Sequence, residues 1–207
     1  MNRRNILQLG IFGFSSFVIP NIGKAATNWQ TPLNQLNDVR EDADDRELLI
    51  HGNFVIGPRP ALDLSDILNE SAQWWCEALK GSGIADHGWY TNKDGFLIAS
   101  PQNPRILSRV WLPSIEIDPG VYWCDFVVIN NYLGIEGSSQ GQNLLRRSNV
   151  RTNNIVDLFT ETGWNDDPLK ATHHYSTMIV PFWTHCGFGM ITDGGGRKIA
   201  VINFAKI

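Results

Sequence analysis

The chain has 207 residues, 43% of them hydrophobic and 18% charged, with a formal net charge of −4. That composition excludes a disordered chain and fits one domain able to bury a core, with eight Trp and ten Phe as large packing anchors. No basic patch is present to pair with phosphates, which argues against nucleic acid and anionic membrane surfaces as partners.

Residues 1–25 read as a signal peptide. Arg3 and Arg4 precede the apolar run LGIFGFSSFVI, too short to span a bilayer well, and Gly23 and Ala25 suit cleavage after Ala25. NRRNILQ is a loose twin-arginine motif, so export to the periplasm or the extracellular space is expected. Cleavage would remove Arg3, Arg4 and Lys24 and no acid, taking the formal charge from −4 to −7 and leaving no stable membrane span. Residues 26–47 form a polar N-terminal segment ending in DVREDADDRE, read as a solvated linker or helix face.

The clearest helix is predicted over 65–80, where Leu64, Leu68, Ala72, Trp75 and Leu79 fall on one face, Ser65 can cap the start and Gly81 can end it. From Gly88 onward Pro, Gly and Asn become frequent, and strand-like runs stand at 96–99, 106–111 and 121–129. A second helix is expected over 152–162. The end alternates through 175–181, 187–192 and 199–204, with Asp193-Gly194-Gly195-Gly196 turning a closing hairpin. Helices, an inserted β-rich region and a hairpin suggest α+β. Cys76, Cys124 and Cys186 match no zinc-ribbon spacing, and an odd count leaves at least one thiol unpaired in a monomer.

Three motifs stand in order. PALDLSDILNESAQWWCEALKGSGIADH spans 60–87, Gly141-Gln142-Asn143-Leu144 follows, and HHYSTMIV at 173–180 leads to Gly187-Phe188-Gly189. Together they resemble the CAP superfamily: the SCP domain of cysteine-rich secretory, antigen 5 and pathogenesis-related 1 proteins, here in a bacterial exported form. The family pattern Gly-His-(Tyr/Phe)-Thr-x-hydrophobic-Val-Trp carries His173 in place of glycine and Val180 in place of tryptophan, and Gln142 replaces the glutamate of Gly-Glu-Asn-Leu. The resemblance covers about 50–87 and 139–206. It implies a CAP domain over 48–207, interrupted by an insertion at about 88–138, and an α-β-α sandwich with a central antiparallel sheet.

In the family two histidines and two acids line a central cleft that can hold a divalent metal. The resemblance places His87, Gln142, Glu161 and His174 there, with His87 and His174 as metal ligands if zinc or another divalent ion binds; no cofactor is otherwise required. Read as a strand, 175–181 puts Ser176 on His174's side and His173 on the other. A Ser176 nucleophile has no elbow or partner acid, a His185-Cys186 pair is better read as packing or a disulfide, and Asp193–Gly196 lacks the helix and lysine of a phosphate cradle. The expected function is a non-enzymatic binding or interaction module for a small apolar ligand, a glycan or a protein, with Trp89, Trp111, Trp123 and Tyr122 of the insertion offering a surface. The alternative is a metal-assisted, protease-like hydrolase using Glu161 as base.

Overall fold

The computed structural model describes residues 28–43, 49–50, 53–54, 58–135, 139–161 and 173–207; the expected signal peptide lies outside them. In chain order the elements are α1 (Gln30–Asp42), β1 (Leu49–Ile50), β2 (Asn53–Phe54), β3 (Asp63–Leu64), α2 (Asp66–Leu79), β4 (Gly88–Thr91), β5 (Phe96–Ser100) and β6 (Asn103–Trp111). They continue as β7 (Ile115–Asp118), β8 (Val121–Asp125), α3 (Phe126–Tyr132), β9 (Gln140–Arg147), α4 (Ile155–Glu161), α5 (His173–Met178), β10 (His185–Thr192) and β11 (Lys198–Ala205). The class is α+β.

The central sheet has the order β3-β10-β11-β9. Its three long strands are antiparallel, and the two-residue β3 adds to the edge of β10 in parallel. Strand alternation sorts the side chains into two layers. Cys186, Phe188, Ala200, Ile202, Phe204 and Leu145 pack with Leu33 and Leu36 of α1, Phe159 of α4 and Met178 of α5. Leu144, Ile199 and Val201 pack on the other face with Trp75, Cys76 and Leu79 of α2. The result is the α-β-α arrangement that the resemblance implies.

α2 lies close against β10. A Cβ added at Gly187 would sit 2.2 Å from the Leu68 carbonyl carbon, and one at Gly189 2.4 Å from that of Ala72. Ser65 caps the helix, its Oγ accepting from Leu68 N at 3.3 Å. A cap contributes about 1 kcal/mol. Burying Leu68, Trp75 and Leu79 contributes about 1.5–3 kcal/mol for each side chain, so packing rather than capping holds the helix.

The insertion forms a second sheet of order β6-β5-β4-β8-β7, followed by α3. Its outer strands β6 and β7 are joined by three residues, 112–114. Four Cα steps reach at most about 14 Å. The edges of a flat five-stranded sheet stand about 19 Å apart, so this sheet is curled.

Two expected strands need correction. The run 121–129 is not one strand: Asp125 Oδ1 accepts from Val128 N at 2.9 Å and starts α3. Residues 175–181 are not a strand either, because 173–178 are helical, with Tyr175, Met178 and Ile179 buried at helical spacing. The polar segment supplies α1, whose buried Arg40 donates to the carbonyls of Pro60, Met178 and Val180. Burial lowers this guanidinium to about 10, still protonated at neutral pH. The expected second helix is shorter than 152–162. The three cysteines are free and buried, and burial pushes each thiol up, so the disulfide suggested for Cys186 is absent here. No helix among the described residues is long and apolar enough to cross a membrane.

At the β10–β11 turn, Asp193 accepts from Gly81 N at 2.9 Å and pairs with Arg146. Burial alone would raise its carboxyl. The Gly81 N–H, Arg146 and the Gly194 N–H outweigh this and hold it below the usual range. A carboxyl so lowered stabilises the fold above its unfolded value and loses that contribution as pH falls through the folded one.

Gly189→Ala is expected to destabilise the chain by about 2–3 kcal/mol in urea denaturation, because its Cβ meets helix backbone that cannot give. Gly194→Ala, which has open space around it, is expected to stay within about 0.5 kcal/mol of the wild type. Asp193→Asn is expected to lower stability at neutral pH, with the gap to wild type closing in acid; a gap independent of pH would rule out the ion pair as its source.

Candidate functional site

The seam between α2, β9 and the insertion carries a chain of neutral polar groups. Ser71 and Asn203 are fully buried, and Gln142 is nearly so. Asn203 and Gln142 are cross-strand partners in β11 and β9. Asn203 Nδ2 donates to Ser71 Oγ at 3.0 Å, and Gln142 Nε2 donates to Asn203 Oδ1 at 2.9 Å. Gln142 Oε1 then stands 2.9 Å from Nδ1 of His87. Since the amide N–H of Gln142 goes to Asn203, its oxygen is the atom left for the ring, so Nδ1 carries the proton and Nε2 keeps the lone pair.

His87 is itself exposed, and two bonds tether its loop. Trp75 Nε1 donates to Asp86 O at 3.1 Å, and His87 N donates to Asp86 Oδ1 at 2.7 Å. The next residue, Gly88, lies under the Trp123 indole, where an added Cβ would come within 2.5 Å of the ring. Trp123 Nε1 donates to Asp125 Oδ2 at 3.1 Å. Tyr90, Trp123 and Ile115 are directly paired across β4, β8 and β7 and so share one face. Trp89 and Cys124, the alternate pair, pack into the core on the other.

The remaining candidates lie across the sheet. Gln142 has the parity of Leu144 and faces α2; Asn143 has that of Leu145 and faces α5, where its Nδ2 donates to the His174 carbonyl at 2.8 Å. Adjacent residues of β9 thus meet the His87 ring and the His174 carbonyl on opposite faces of the sheet. The half-buried His174 ring meets Phe159 edge-on, with centroids 5.2 Å apart. Ser176 is two residues further along α5, about 200° around the helix from His174, so the same-side placement read from a strand does not hold. Glu161, at the end of α4, is two residues beyond Phe159 and leaves the helix on the side away from the His174 contact. The side chain of His173 lies outside the described residues.

The donor set at His87 is one imidazole and one amide whose two polar atoms are both engaged, and a neutral amide is a poor zinc ligand. Among the described residues no three His, Cys, Asp or Glu side chains group closely enough to hold a metal ion. The residues at this seam do not fit a protein-held zinc. Ser71 and Asn203 were missed from sequence; the signal for Asn203 is a single amide inside the apolar strand KIAVINFA.

No protein-family model matches the sequence, and neither does any curated protein. Among solved structures, venom allergen-like protein 4 of Schistosoma mansoni is similar over 86% of this chain and 88% of that chain, at 14% identity and a TM-score of 0.47.

In 15N-detected NMR, neutral His87 is expected in the Nδ1–H tautomer, and Gln142→Leu is expected to remove that preference. An Nε2–H ring in the wild type would mean that the amide chain runs in the opposite direction.

Proposed function

We propose that this chain is an exported CAP-type module that binds its ligand at the His87 seam without transforming it. One observation carries the reading: the group facing His87 is a buried, fully engaged amide rather than a carboxylate. An amide can orient the ring but cannot take a proton from it or raise its basicity as a general-base partner would. Export rests on residues 1–25, and CAP membership on the three ordered motifs together with the layered sheet.

The surroundings favour a small molecule that is apolar over most of its length. Tyr90, Trp123 and Ile115 offer one continuous face beginning beside Gly88, and the His87 Nε2 lone pair accepts a hydrogen bond. Such a ligand presents a hydroxyl or N–H at one end. Glycans and proteins are the other candidate classes. The hydrolase reading would leave His87 as its base, oriented by an amide instead of a carboxylate, because Glu161 belongs to α4 on the far face of the sheet.

Intrinsic tryptophan fluorescence, titrated with a panel of hydroxylated amphiphiles, fatty acids and oligosaccharides, tests this reading. Saturable binding of an amphiphilic alcohol, weakened about tenfold in His87→Ala as the loss of one hydrogen bond requires, is the expected result. Calorimetric zinc uptake abolished in the His87→Ala/His174→Ala double variant, together with zinc-dependent hydrolysis, would overturn it.

A further inference from the structure

The two outer strands of the insertion sheet are opposite in charge. β6 carries exposed Arg105 and Arg109 around Ile106, which is 49% exposed. β7 carries exposed Glu116 and Asp118 alternating with Ile115 and Ile117, 49% and 47% exposed. Among the described residues each strand has a sheet neighbour on one side only. An open strand edge with exposed isoleucines is a template for another strand, and proteins ordinarily blunt it with charge, proline or bulges. Pro104 and the register shifts between β5 and β6 blunt part of β6 in this way; β7 has one register shift against β8, between Glu116 and Asp118, and no proline.

The signs of the charges discriminate among the pairings open to two copies. β6 against β6 sets arginines together, and β7 against β7 sets carboxylates together; both are unfavourable. Only β6 against β7 brings opposite charges and exposed isoleucines into register. We propose that the insertion sheet is a head-to-tail self-association surface, in which the β7 edge of one copy adds to the β6 edge of a second. Such an interface is heterologous and leaves one edge free at each end, so it builds short chains rather than a closed dimer. Because β7 has four residues, the shared ladder is short and the contact falls in the weak, concentration-dependent class. Its exposed ion pairs make it sensitive to salt.

Sedimentation velocity on the full chain, with a chain starting at Ala26 run beside it to separate association through residues 1–25, tests the proposal. The expected result is an average mass that rises with concentration at low salt and returns to monomer in high salt. Arg105→Glu/Arg109→Glu and Glu116→Lys/Asp118→Lys are each expected to stay monomeric alone and to associate when mixed, since mixing brings together two complementary edge pairs, the original one and its charge-swapped counterpart. Glu116 Oε1 also accepts from Gly120 N at 2.8 Å. Asp118→Lys alone, which leaves that turn bond in place, is therefore the second variant and should weaken association in part. A wild-type chain that remains monomeric up to millimolar concentration would sink the proposal. So would an assembly unaffected by either charge reversal, or a closed dimer lost only on changing β7.

Discussion

The close contact between α2 and β10 is the constraint on which the rest of the molecule depends. β3 is only two residues long and pairs with His185 and Cys186 alone. Beyond it the outer N–H groups of β10 would stand open, and α2 takes them. Asn69 Oδ1 accepts from Phe188 N at 2.8 Å, and Gln73 Oε1 accepts from Met190 N at 3.1 Å. The geometry matches because four helical residues rise about 6 Å and two strand residues about 6.6 Å. Side chains this short reach the strand only because Gly187 and Gly189 let the helix backbone come near. The helix thus acts as the missing continuation of β3 and covers an edge that would otherwise be exposed to pairing.

Once α2 is held this way, its other residues are placed without further freedom. Ser71 meets Asn203 on the sheet face that α2 covers and ends the amide chain that orients His87. Trp75 Nε1 holds Asp86 O, and Trp74 Nε1 donates to Trp111 O at 2.9 Å, so the same helix holds the entry to the insertion and the end of its β6 strand. Trp74, Trp111 and Tyr132 then pack against one another with centroids 5.4–5.8 Å apart, which joins α2, β6 and α3. At the helix C-terminus, Asp193 receives the Gly81 N–H and ties the helix to the hairpin turn. The insertion is therefore docked on the helix whose Ser71 ends the amide chain that orients His87.

What the sequence makes legible follows from how local each signal is. The face of α2, the Asp193–Gly196 turn and the outer limits of the insertion are read within a few residues. α5 fails because Tyr175, Met178 and Ile179 at helical spacing compete with an equally good alternation through Tyr175, Thr177 and Ile179; burial, which sequence does not show, decides between them. α3 fails because one cap, Asp125, interrupts a run of apolar residues that favours a strand. α1 looks like solvated charge because Arg40 is a cation in a polar stretch. Its true environment is a set of backbone carbonyls contributed by residues far along the chain. At the candidate site the resemblance locates His87 beside Gln142, but it does not reveal the two groups that hold Gln142, because Ser71 and Asn203 come from different elements and match no spacing rule.

The identity of residue 142 acquires its meaning from those hidden partners. Gln142 is largely removed from water and bonded to the Asn203 amide. A carboxylate there would have to be desolvated at a cost of several kcal/mol and would leave Asn203 Oδ1 facing an acceptor. The neutral chain avoids both penalties because each amide donates to the next oxygen. Its direction also sets what His87 can recognise. A ring whose Nδ1 proton is committed to Gln142 presents only an acceptor at Nε2, so a partner at that atom must bring its own hydrogen. Hydroxyl and N–H groups meet that requirement and a bare carboxylate does not. With an amide at residue 142 the neutral His87 ring is a directional acceptor, beside the face that Tyr90, Trp123 and Ile115 share.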